Sequence, residues 1–397
     1  MEHELFETLL GLPQLKVLSL EFEEKTIRVK CESKGHQGPC PLCGKESNKV
    51  HQYSTHEVRD LDISGRKVIL CIRVAQLVCE DCHRYFNEGF DFVEPNKGYT
   101  KRQAKWIFYL SAKQPFTEVG ALMDVNAKTV ERIFYDQTSD SGYRRYEGVK
   151  RLGIDEISFR KGKGDYLCVL TDLDTGETID ILRDRKKESL VAHFQGITIK
   201  GKPFCEQVEA VSCDFWGPFM DIAKTKFPNA TVVGDRFHWT GYLNEALNKL
   251  RRALRKEHPK EEIFKSIKWA LFKQEAKTTP EQKEQLAKSF ELSPLLKEMY
   301  GIKIALQKLF EQDLPFQEAI EKVKGWMQQA REIKDKFLSE FVDFLERHFA
   351  PITNFFKQRI SNAKTEGNNN LLRTVKRMTF NMTNFAHFKA RCFAFKT

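Results

Sequence analysis

Three changes in hydrophobic period predict a multidomain chain of mixed α+β and α/β class. Residues 1–95 alternate apolar and polar side chains in short runs broken by turn residues, residues 96–147 repeat at helical spacing, and residues 148–397 open on strands and close on helices. Within the last segment a charged, helically periodic stretch at about 241–350 carries no convincing strand, so it reads as an all-helical insertion.

In the first segment, 26–31, 57–63 and 68–78 are predicted strands, the last two joined across Ser64-Gly65. Helical spacing from 101 to 136 breaks at Gln114-Pro115 and again at 124–126, which fits three short helices. The third segment begins with Leu152-Gly153-Ile154-Asp155, an apolar strand expected to end in a carboxylate, followed by a basic turn at Lys161-Gly162-Lys163-Gly164. Strands at 166–171 and 178–182, a helix at 187–194, a strand at 208–213 delivering Asp214, a helix at 218–226 and a strand at 230–234 follow. A final helical region covers about 360–377.

Of the 397 residues, 41% are hydrophobic, enough for a sizeable core, and no stretch approaches the length of uncharged apolar sequence that a membrane span needs. The start lacks the basic and apolar regions of a signal peptide, so a cytoplasmic protein is expected, with no membrane partner. The net charge of +10 favours a polyanionic partner, although a solvated Lys-rich surface has the same charge.

Ten cysteines in a chain without an export signal point to reduced thiols. Cys40-Pro41-Leu42-Cys43 and Cys79-Glu80-Asp81-Cys82 are two Cys-x-x-Cys knuckles, whose four thiolates suit one tetrahedral structural Zn²⁺. Buried apolar cysteines and a redox pair are the alternatives, and His36, His51 or His83 stands near enough to replace a ligand. Cys31 and Cys71 read as packing residues.

The stretch 117–136 has helix-turn-helix spacing. Thr117 is expected to cap one helix and Asn126 the next, with Val119, Leu122, Val130, Ile133 and Phe134 inside. Lys128, Thr129, Arg132 and Tyr135 are then left outward, able to reach phosphates and base edges in a major groove, though any three-helix packing unit shares this spacing.

Asp155 and Asp214 each follow an apolar strand, where open sheets form ligand crevices, yet Asp also commonly begins turns. The third acid is more unusual: after Glu346, among many Lys and Arg residues, Glu366 is the sole carboxylate, at the mouth of a predicted helix. Three converging carboxylates can hold two Mg²⁺ or Mn²⁺ ions for in-line phosphoryl displacement, with Lys364, Arg373, Lys376 and Arg377 beside them to bind phosphate. Asp235 and His238, after the last strand, are read either as support behind the metal ligands or as a turn Asp with a partly packed His. Glu156 should face the opposite side of the sheet.

Cys-Pro-Leu-Cys at 40–43 with Cys79 and Cys82, Gly-Ile-Asp-Glu-Ile-Ser at 153–158, Ser-Cys-Asp-Phe-Trp at 212–216, Gly-Asp-Arg-Phe-His at 234–238 and Ser-Asn-Ala-Lys-Thr-Glu-Gly-Asn-Asn-Asn at 361–370 together resemble the ISL3-type insertion-sequence transposases over essentially the whole chain. The resemblance implies a zinc-binding N-terminal domain (1–95), a helix-turn-helix DNA-binding domain (96–147) and a ribonuclease H-like catalytic domain (148–397) with a helical insertion. It implies a catalytic triad of Asp155, Asp214 and Glu366, Mg²⁺ dependence, and double-stranded DNA as partner, both terminal inverted repeats and target. A homo-oligomer, at least a dimer on DNA, is also implied, as is nucleoid association when bound. Two rival expectations are a DNA-binding regulator with an inactive ribonuclease H-like domain and a metal-dependent nuclease that never joins.

Overall fold

The computed structural model describes residues 2–138, 146–160, 162, 164–379 and 382–395. Lys161 and Lys163, of the basic turn expected after Asp155, lie outside them. The chain divides into two compact units, Met1–Ser141 with Ala390–Thr397, and Gly142–Lys389.

The first unit opens with a helix, α1 (Glu2–Leu10), and strands β1 (Leu15–Phe22), β2 (Thr26–Ser33), β3 (Val50–Ile63), β4 (Arg66–Val78) and β5 (Tyr85–Asn87). Their order is β1-β2-β4-β3, with β5 also paired to β4 and only the β2–β4 pair parallel. Alternation buries Val29, Val68, Leu70 and Ile72 on one face, each worth about 1.5–3 kcal/mol on burial. Helices α2 (Lys101–Lys113), α3 (Phe116–Met123) and α4 (Ala127–Thr138) follow around Ile107, Val119, Val130 and Ile133. Asp60 of β3 accepts from Thr100 Oγ1 and Arg102 Nε, both at 2.7 Å, and so fixes the start of α2 to the sheet.

The second unit contains β6 (Arg151–Arg160), β7 (Asp165–Asp172), β8 (Thr178–Leu182), α5 (Lys187–Gln195), β9 (Ala210–Cys213), α6 (Gly217–Lys226) and β10 (Thr231–Gly234). The sheet order is β8-β7-β6-β9-β10, the first three antiparallel and β9 and β10 parallel to β6. Leu152, Ile154, Val211 and Cys213 pack with α5 and α6 on one face. On the other, Ala210 and Val233 join the core of a long helical segment. That segment contains α7 (Arg236–Glu257), α8 (Pro280–Leu292), α9 (Pro294–Glu311), α10 (Phe316–Glu332) and α11 (Lys336–Arg347), and it starts at the residue after Asp235, which caps α7.

Helix α12 (Ala363–Met378) returns across β6 and β7, and α13 (Phe385–Ala394) follows. The approach of α12 requires glycine at 153: a Cβ there would sit 2.5 Å from Thr365 Oγ1 and 2.8 Å from Leu173 Cδ2. Gly153→Val is therefore expected to cost at least about 1–3 kcal/mol through overpacking and to displace α12, read as a lower thermal midpoint. An unchanged midpoint would mean that the close approach is dispensable.

Candidate functional site

Parallel pairing sets Ile154 opposite Cys213 and Cys213 opposite Gly234. The next residue on each chain is an acid, so Asp155, Asp214 and Asp235 form a row across three neighbouring strands spaced at about 4.8 Å. Strands β9 and β10 stop there. Contrary to expectation β6 does not end at Asp155; it continues to Arg160, with Asp155 opposite Val169 of β7. The carboxylate stands where β6 loses its parallel neighbour, the type of crevice in which open sheets bind ligands.

Alternation decides which way these side chains face. Ile154 packs toward α5 and α6 while Gly153 meets α12, so Asp155 belongs to the α12 side. Asn369 Nδ2 donates to Asp155 Oδ2 at 2.8 Å. Glu156 faces the opposite side, paired with Arg185, whose guanidinium lies 4.0 Å over Tyr166 and 4.3 Å over Trp216. One oxygen of each acid in the row accepts a local backbone N–H: Asp155 from Glu156 at 2.7 Å, Asp214 from Trp216 at 3.0 Å and Asp235 from Phe237 at 3.2 Å. His238 Nε2 is 3.7 Å from Asp235 Oδ2.

Glu366 lies in the first turn of α12, exposed, and its side chain has no hydrogen bond or ion pair among the described residues. Its charge helps to raise the Asp235 carboxyl, after the larger effect of burial. Among the described residues only four cysteines form a group of three or more ligand atoms all within 4.8 Å of one another, so the acids are gathered more loosely than that. Two ions about 3.5–4 Å apart spread their donors over a wider span than one tetrahedral ion does. Carboxylate oxygens are the hard donors that Mg²⁺ and Mn²⁺ take, and in that respect the residues fit such a pair.

Burial pushes the Asp155 carboxyl up to about 6, opposed by the Glu156 N–H and His238 and reinforced by Asp214 and Asp235. Asp214 is also raised by burial. The folded chain thus holds its proton more tightly than the unfolded one: this contribution to stability is complete below the ordinary value of 3.8 and is lost as pH rises through about 6. A divalent cation binds the ionised form, so Mn²⁺ affinity is expected to fall as pH drops from above to below that value, with protons released on binding. Calorimetry in buffers of different ionisation enthalpy reads both; pH-independent affinity would contradict the burial argument.

Cys40 and Cys43 flank the turn after a two-residue strand, Gly38–Pro39, paired with Glu46–Ser47, while Cys79 and Cys82 follow β4. Gly44 closes the first knuckle at φ +75, donating to Cys40 O at 2.8 Å. The sulfurs of Cys40 and Cys82 are 3.4 Å apart, Cys43 and Cys79 3.6 Å, and Cys43 and Cys82 3.9 Å. Corners of a tetrahedron with Zn–S bonds near 2.3 Å are about 3.8 Å apart, so the four thiols suit one structural zinc. His36 is engaged by Glu88 at 3.2 Å and His51 packs on Tyr85, and neither belongs to the cluster.

In the helix-turn-helix, Lys128 and Arg132 are exposed and Thr129 is half-buried. Asn126 Oδ1 accepts from Lys128 N at 2.9 Å, as expected of a cap. Three local expectations fail. Pro115, not Thr117, precedes the first turn of α3; Leu122 is 62% exposed while Met123 is buried; and Tyr135 packs edge-on against Phe116 and Phe134. The cap lies two residues earlier than expected, and the face turned inward runs through Val119, Gly120 and Met123. Sequence reasoning also missed Trp106 and Tyr109, an exposed stacked pair on α2 with Lys113 4.0 Å over the Tyr109 ring.

On α12, Arg373 and Arg377 are exposed, whereas Lys364 donates to Asp174 O at 2.6 Å and half-buried Lys376 to Ser158 O at 3.2 Å, so these two also clasp the helix to β-sheet loops and edges. Arg391 is buried, 3.8 Å over Phe116, and is a packing residue.

A four-cysteine knuckle, a helix-turn-helix and an acid-lined α/β domain in one chain define a DNA-binding protein of the transposase class. Residues 152–392 match the ISL3 DDE family model, described as a transposase; residues 36–82 match the zinc-finger of transposase IS204/IS1001/IS1096/IS1165, and 88–137 the helix-turn-helix domain of transposase family ISL3. The chain belongs to the ISL3 family of insertion-sequence transposases, enzymes that cut and transfer DNA. Among its relatives are the transposase for insertion sequence element IS1001 of Bordetella parapertussis, 22% identical over 98% of this chain and 97% of the relative, and that for IS1557 of Mycobacterium tuberculosis, 24% identical over 95% and 91%. Among the described residues no helix is long and apolar enough to cross a membrane.

Proposed function

We propose that this chain binds the terminal inverted repeats of its element, at least as a dimer, and cuts and joins DNA through two divalent ions held by Asp155, Asp214 and Glu366. The domain carrying them is read as ribonuclease H-like, a reading supported by the sheet order, in which the first strand of the unit is central and the fourth and fifth run parallel to it. The observation that carries the proposal is the bond from Asn369 to Asp155: it joins the helix of Glu366 to the strand of the first acid, across more than two hundred residues of chain.

When bound, the metal pair supplies an activated water or 3′-hydroxyl and stabilises the leaving oxygen. Asp155 and Asp214 present charge from two strands held in fixed register, and Glu366 approaches from a separate helix. Arg373 and Arg377, on the same helix, are placed to neutralise phosphates; Lys128, Thr129 and Arg132 serve duplex binding through the helix-turn-helix.

Labelled inverted-repeat DNA incubated with the protein and Mg²⁺ is expected to give nicked ends and, with target DNA, strand-transfer products, both lost in chelator. A regulator would shift the DNA in a gel without nicking it. A nuclease would cut but give no joined product even from pre-cleaved ends.

A further inference from the structure

Asn369 is 1% exposed and occupies a position one helical turn after Glu366. Its Nδ2 donates to Asp155 Oδ2 at 2.8 Å. An ionised carboxylate only accepts, so the amide must present its nitrogen to Asp155 and turn its oxygen elsewhere. That oxygen, Asn369 Oδ1, is buried and has no hydrogen-bond partner among the described residues. A second buried polar atom without a partner among the described residues, Ser212 Oγ, belongs to the residue two before Asp214, on the sheet face that alternation assigns to Ala210 and the acid row. An unpaired buried carbonyl costs about 1–3 kcal/mol, so its retention on the side chain that holds Asp155 calls for a ligand that supplies a donor or a positive charge.

We propose that Asn369 is a positioning residue of the metal centre: its amide N–H fixes the Asp155 carboxylate, and its Oδ1 takes a hydrogen bond from water carried by the divalent cation. This rests on the metal reading of the acids and adds a residue to it. The side chain does two things at once. It sets the orientation of Asp155 toward α12, and, being on the same helix, it ties that orientation to the position of Glu366. Residues that orient a metal ligand from behind alter metal affinity by about 10–100-fold when removed.

The test is Mn²⁺ binding to the full chain without DNA, followed by electron paramagnetic resonance, for wild type, Asn369→Ala, Asn368→Ala and Asp155→Asn. Asn368 is the control, because it also docks α12 to the sheet side of the unit, donating to Gly176 O at 2.9 Å and Thr171 Oγ1 at 3.4 Å. Asn369→Ala is expected to weaken Mn²⁺ binding about 10–100-fold, with Asn368→Ala near wild type in affinity although lower in thermal midpoint. Asn369→Ser, which keeps a small polar group, should recover part of the loss. Unchanged affinity in Asn369→Ala, or an equal loss in Asn368→Ala, would overturn the positioning role. If Asp155→Asn itself binds Mn²⁺ like wild type, the metal reading of the acids fails instead, an outcome distinct from the first.

Discussion

Asp155→Asn is expected to lower strand cleavage and strand joining together by at least about 10³-fold, equivalent to about 4 kcal/mol of transition-state stabilisation, while inverted-repeat binding stays close to wild type. The substitution keeps the size of the side chain and an oxygen for the Glu156 N–H, but removes the charge that a cation requires. DNA affinity should be spared because the helix-turn-helix belongs to the other compact unit. The metal-free variant should also melt at a higher temperature above pH 6, since an ionised Asp155 is buried beside Asp214 and Asp235 and its carboxyl is already pushed up to about 6. Glu366→Gln should lose both reactions as well. The double variant should be little worse than either single one, as expected of groups that act as a unit. Cleavage at a normal rate by the Asp155→Asn protein would dismiss the catalytic assignment.

The second large effect is expected at the zinc knuckles. Purified wild-type protein should contain about one zinc per chain by elemental analysis and Cys79→Ser close to none, because three thiolates leave a structural tetrahedron open. The Cys40 thiol is held down by the backbone N–H of Cys43, with the Leu42 N–H and the Cys82 thiol helping, while the Cys40 and Cys79 thiols push the Cys82 thiol up. Loss of the ion should open the loops around 38–47 and 79–85 to protease. The sheet should persist, since Val29, Val68 and Leu70 belong to a core that contains none of the four knuckle cysteines. Acid should mimic the mutation, as protons compete for the sulfurs. Zinc-free wild-type protein with unchanged protease resistance would refute a structural ion.

What the chain's sequence determined by itself was the local chemistry. The paired Cys-x-x-Cys knuckles need only turn geometry and spacing to be recognised, and the structure brings their four sulfurs together. Asp155 and Asp214 were visible because an acid directly after an apolar run is a short-range signal, and Glu366 because it is the only acid in its basic surroundings. Periodicity likewise located α2, α3 and α4, but neither the residue at which α3 begins nor the choice of Met123 over its neighbour Leu122 for the core, which packing against α2 and α4 decides. Other features depended on register and docking between distant segments. The row of Asp155, Asp214 and Asp235 exists because three strands pair at matching residues, and the role of Asn369 exists because α12 settles on Gly153. Neither is encoded in any window of sequence: hydrogen-bond register and close packing join residues as far as 214 positions apart in the case of Asn369 and Asp155, and only the folded sheet specifies which ones meet.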